Sequence, residues 1–121
     1  MNLARFSKPI FWTAMVFAFV MAILPQPPEL PGQPNDKVQH MLAFATLAAL
    51  GAWAYAGTAL WRLLAGLSFF GAFIEFAQAI PAIHRDSDIK DWIADTVAAA
   101  IVLLVIGFWQ RRRRREGQPT P

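Results

Sequence analysis

The stretch IKDWIADTVAAAIVLLVIGFWQRRRRR, residues 89–115, decides how this chain is read. Between Asp95 and Arg111 it carries no charged side chain, and five consecutive arginines then end the apolar run. An α-helix rises about 1.5 Å per residue, so residues 89–109 suffice to cross a hydrocarbon layer about 30 Å thick. Lys and Arg concentrate on the cytoplasmic side of membranes, so the arginines also give the direction of crossing. Arginine runs of this length occur in nucleic-acid-binding and nuclear-import segments as well. Directly after an apolar span, the run reads instead as a topology anchor that attracts anionic lipid headgroups, at about 1 kcal/mol per cation near the surface. No nucleic-acid partner is expected.

The remainder of the chain agrees. Its 121 residues are 56% hydrophobic and 16% charged, with mean hydropathy +0.38, which is far from a soluble domain. The net charge of +3 is more than supplied by the arginine run alone. Cysteine is absent, which excludes disulfides, thiolate metal ligands and thiol nucleophiles. At roughly 20 residues per span the length accommodates about four spans and no separate soluble domain.

Upstream, Arg5 and Lys8 precede an apolar run over 9–24, an arrangement similar to a secretory signal peptide. Leu24 stands where a small residue is needed for cleavage and Pro25 follows, so an uncleaved first span is expected. Residues 25–35 hold five prolines and Gly32, a composition that favours an extended loop. A second span is predicted over 36–55 with Asp36 at its N-cap, and Gly57 and Thr58 then turn the chain. A third runs over 59–80 and is closed by Pro81; a polar loop leads to the fourth, 89–109, which the arginines end. The expected architecture is an all-α four-helix membrane bundle over 1–110 with a basic cytoplasmic tail, 111–121.

Of the eleven Lys and Arg residues, eight fall on one side in this topology: Arg5, Lys8, Arg62 and the five arginines 111–115. Lys37, Arg85 and Lys90 fall on the other, so both termini are expected in the cytoplasm. Trp12, Trp61 and Trp109 lie near the inner boundary and Trp92 near the outer one, as interfacial aromatics do. Small residues at four-residue spacing, Ala14, Ala18 and Ala22, then Ala48, Ala52 and Ala56, read as seams where helix backbones approach closely.

The polar residues gather at the outer end. Asp36, Lys37 and His40 open the second span, and the spacing of four sets Asp36 and His40 on one helix face. Glu75 and Gln78 close the third span at a spacing of three. Asp88, Asp91 and Asp95 form a stripe at the start of the fourth, with Arg85 in the loop between. An ionisable group at the centre of a span costs at least about 2.5–3.5 kcal/mol, so Glu75 and Asp95 must face the interior and find partners. Arg85, Lys37, His40, the Gln78 amide and water are the candidates. Such a cluster reads either as a network that fixes helix register or as a site for an anion, a cation or acid–base work. A divalent metal needs three or more converging ligands, and neither a metal nor another cofactor is expected.

In this order these residues resemble the VanZ-like family of bacterial membrane proteins, whose namesake is associated with low-level teicoplanin resistance. The resemblance covers the second to fourth spans. It rests on Asp36-Lys37-Val38-Gln39-His40, on Glu75-Phe76-Ala77-Gln78 followed by Pro81 and Arg85, and on Asp88 and Asp91. Where the family has Asn and then Gly in the last span, this chain has Asp95 and Ala98, which adds an ionisable group and a methyl. The resemblance implies a multi-pass protein of the bacterial inner membrane, a link to the cell envelope and, through particular members, to glycopeptide tolerance.

The leading expectation is a non-enzymatic envelope protein whose partners are membrane lipids, with an anionic lipid or lipid-linked cell-wall intermediate bound through Arg85, Lys37 and His40. Glu75, Asp88 and Asp91 would orient these groups. Arg grips phosphate oxygens in bidentate fashion and Lys adds a point charge. The alternatives are an enzyme using Glu75 or His40 as general acid or base, a purely structural subunit, and ion permeation along the carboxylates. No nucleophile has a matched base, with Ser68 deep in the third span. The inner halves of the spans offer no continuing polar path.

Overall fold

The computed structural model describes residues 3–23, 36–80 and 89–117, which are helical apart from short turns. A 3-10 segment, Leu3–Phe6, leads into α1, Ser7–Ile23; α2 is Asp36–Ala54, α3 is Leu60–Gln78 and α4 is Ile89–Gly117. The Ser7 hydroxyl donates to the Ala4 carbonyl at 2.7 Å and ties the 3-10 segment to the start of α1. After Ala54 the chain leaves the helix through Tyr55 N–H to Gly51 O and Thr58 N–H to Tyr55 O, both 2.9 Å. At the other end of α3, Ala79 and Ile80 still donate to Glu75 and Ala77, and the next residue in sequence, Pro81, has no N–H with which to continue.

Three of these helical segments are long and apolar enough to cross a membrane: Leu3–Ile23, α3 and α4. The second is shorter, because its first turn holds Asp36 and Lys37, and its apolar part is the 17-residue stretch Val38–Ala54. The arginines end the apolar run but not the helix. The helix continues through all five of them to Gly117. Arginine is among the better helix formers, and no breaker occurs before Gly117, so the apolar character ends at Trp109 while the helix goes on.

The helices alternate in direction. Phe11 of α1 packs on Gly51 near the end of α2, where an added Cβ would sit 3.2 Å from its ring. Leu60 at the start of α3 meets Gly107 late in α4, where an added Cβ would come within 2.8 Å of the Leu60 Cδ1 methyl, so a side chain there would oblige Leu60 to shift. Along the middle, α2 lies against α4 in the same direction. Their seam is made of small residues: Ala48 and Ala99 are 0% exposed, and with Ala52, Leu47, Leu67 and Leu103 they form the main core cluster. Ala14 and Ala18 of α1 pack on its edge and Ala22 joins a second cluster with Phe44 and Ile74. Ala56 lies beyond the end of α2 and is exposed, so the second alanine seam is one turn shorter than its spacing suggested.

The exterior is apolar. Phe69, Phe73 and Phe76 project from α3, and Ile93, Val97, Ile101, Leu104 and Phe108 from α4, while Gln78 and Asp95 are buried. A protein with phenylalanines outside and a carboxylate inside matches a hydrocarbon surround and not water. Trp12, Trp61 and Trp109 are exposed at the end that carries the basic residues, in keeping with an interfacial belt.

Candidate functional site: a polar layer at the acidic end

The ends of α1 and α3 and the beginnings of α2 and α4 meet at one end of the bundle. Asp95 sits one and a half turns into α4, with 3% of its surface exposed. The packing of α2 on α4 brings His40 to it, with His40 Nδ1 4.0 Å from Asp95 Oδ2. That separation exceeds a hydrogen bond and makes the contact electrostatic, in a setting where the low dielectric magnifies it. His40 is half-buried. Of the partners expected for Asp95, His40 is one that the described residues supply.

Gln78 does something else. Its carboxamide was a candidate partner for the carboxylates, but Nε2 donates to the Ala22 carbonyl at 2.9 Å in a fully buried contact. The physical reason lies in α1. Ala22 is in its last turn, where carbonyls lack an i+4 N–H and must find another partner. Gln78 therefore fastens the end of α1 to the end of α3.

Behind Asp95 the polar layer continues into Trp92 and Ser68, which the sequence places at the outer boundary and deep in the third span, and into Thr96, which it does not single out. Trp92 Nε1 donates to the Ser68 carbonyl at 2.9 Å, and the hydroxyls of Ser68 and Thr96 lie 3.2 Å apart. Gly71 makes room, since a Cβ there would stand 3.2 Å from the Trp92 ring and 3.3 Å from Phe44. The signal was present in the sequence: Trp92 and Thr96 are four apart on α4, flanking the Asp91 and Asp95 face, and Gly71 is one turn from Ser68. Ser68 faces another hydroxyl here, consistent with a packing role for both groups.

Glu75 and Asp91 are half-buried at the same end and Lys90 is exposed. The side chains of Asp36 and Lys37, and all of Arg85 and Asp88, lie outside the described residues. Among the described residues, no three His, Asp or Glu side chains are grouped as a metal site requires. Comparison with protein-family models, with curated proteins and with solved structures finds no match for this chain. The site therefore has to be read from its own chemistry, which is a buried carboxylate beside an imidazole, a glutamine closing a helix end and a hydroxyl–indole layer beneath.

Proposed function

We propose that this chain is a four-span, VanZ-like protein of the bacterial inner membrane, with both termini cytoplasmic. In this reading its outer-face polar pocket binds an anionic lipid or a lipid-linked cell-wall intermediate. The observation that carries the reading is the His40–Asp95 contact, since a carboxylate is kept inside an apolar bundle only with a partner. Lys37, three residues before His40 in sequence, and Arg85, seven residues after Gln78 in sequence, would supply the positive charge that a phosphate needs.

The fourth span rests on α2. Its 19 residues amount to about 28 Å of helix. It touches α4 through His40 at one end, and α1 through Gly51 and Tyr55 at the other. A helix that runs the length of the bundle beside three apolar helices fits a crossing. A second reading, in which the polar layer only fixes helix register, is favoured by Gln78, whose amide is committed to the Ala22 carbonyl.

Lys37→Ala separates the two readings. Native mass spectrometry of the detergent-extracted protein should show a copurified phospholipid or polyprenyl phosphate. The variant should lose it at an unchanged melting temperature, and raised salt should imitate the loss by screening. A variant that keeps its lipid at full occupancy returns the layer to a structural role.

A further inference from the structure

At the opposite end of the molecule, an open cavity of about 600 Å³ lies between the α2–α3 turn and the last turns of α4. Its walls include Thr58, Trp61, Gln110, Arg111 and Arg114, and Gly107 is part of its floor. Because α4 stays helical through the arginine run, the five guanidinium groups are dealt out around the helix instead of forming one diffuse cloud. Arg112 pairs with Glu116 at 3.8 Å and Arg113 lies 4.7 Å over the Trp109 ring. Arg111 and Arg114, three apart and so on one face, line the cavity.

The facing wall is the start of α3. Its N-cap is Ala59, which offers no side-chain acceptor to the first-turn N–H groups, and the positive end of the helix is thereby exposed to the cavity. Two guanidiniums, a threonine hydroxyl, a glutamine amide and a helix N-terminus on one cavity form a donor-rich, carboxylate-free lining. Trp61 beside it is 68% exposed, as a residue at a headgroup boundary would be.

We infer that this cavity is a binding site for the phosphate of an anionic membrane lipid, gripped between Arg111 and Arg114 of α4 and the start of α3. The lipid is favoured over a soluble phosphate because the cavity adjoins the exposed tryptophans and apolar flank of the bundle, where acyl chains would lie. This site stands apart from the polar layer around His40, at the other end of the helices, and either one can fail without the other.

The test uses two double variants with the same net charge. The full-length protein, held in nanodiscs of phosphatidylcholine containing phosphatidylglycerol, is released into the gas phase and the retained lipids are weighed. Wild type and R112Q/R115Q should retain phosphatidylglycerol preferentially. R111Q/R114Q should lose that preference by about tenfold, as expected for removing two charge-assisted contacts. All four arginines are exposed, so folding is not at stake, and retained thermal melting checks it. Equal losses in the two doubles would mean diffuse surface attraction and would overturn the site. Displacement of the lipid by millimolar inorganic phosphate would overturn the lipid as occupant.

Discussion

Among the described residues, a hydrogen bond at each end joins α1 to the rest of the bundle, and the two are nearly equal in length. At the acidic end Gln78 Nε2 reaches the Ala22 carbonyl at 2.9 Å, buried. At the basic end Trp12 Nε1 reaches the Tyr55 hydroxyl at 2.8 Å, exposed, in a group with Phe11 and with Lys8, whose Nζ lies 5.1 Å over the Tyr55 ring. Their surroundings make them different objects. A buried donor and acceptor that lose each other have no water to turn to, whereas an exposed pair exchanges one partner for a solvent molecule. The acidic end is thus built to hold polar groups in fixed places, and the basic end to meet a surface.

The comparison yields its largest effect at Gln78. Replacing it with Ala should destabilise the bundle by about 2–3 kcal/mol, because the Ala22 carbonyl is stranded and a small void is left. Thermal melting in detergent reads this, and a loss below about 0.5 kcal/mol would show that the end of α1 does not depend on the contact. Tyr55→Phe is the matched change at the exposed end. It removes only the hydroxyl and keeps the ring against Phe11, so the same melt should fall by less than about 1 kcal/mol. Equal costs for the two would erase the distinction between the ends.

How far the sequence carried the reading differs along the same axis. The apolar runs over 9–24, 59–80 and 89–109 are legible because hydrophobicity is a property of the segment itself, and α1, α3 and the start of α4 fall within a few residues of those limits. The continuation of α4 through the arginines is not legible from hydropathy, because charge ends an apolar run without ending a helix. His40 and Asp95 were both legible as polar residues inside spans, since each is costly there alone. That they meet each other depends on α2 packing closely on α4, which the alanines at 48 and 99 allow but do not announce. The role of Gln78 was hidden for a different reason: its partner is a backbone carbonyl 56 residues away, and every residue has one. The sequence shows Ser68 only as a nucleophile without a base, Trp92 only as an interfacial aromatic and Thr96 not at all as part of a layer, because hydroxyl and indole groups are cheap to place in a span and raise no alarm.

The account depends most on α2 crossing the membrane, so that the polar layer and the arginine run lie on opposite sides. A reporter active only outside the cytoplasm, fused after Pro31, after Thr58 and at the C-terminus, tests this directly. Four spans with cytoplasmic termini predict activity from the first fusion alone. If α2 lay on the membrane instead of crossing it, α4 would carry the C-terminus outward, against its own arginines, and the C-terminal fusion would be active. Activity after Thr58 and at the C-terminus with none after Pro31 would instead mean an inverted bundle, with the His40–Asp95 layer at the cytoplasmic face, contradicting the proposed pocket outright.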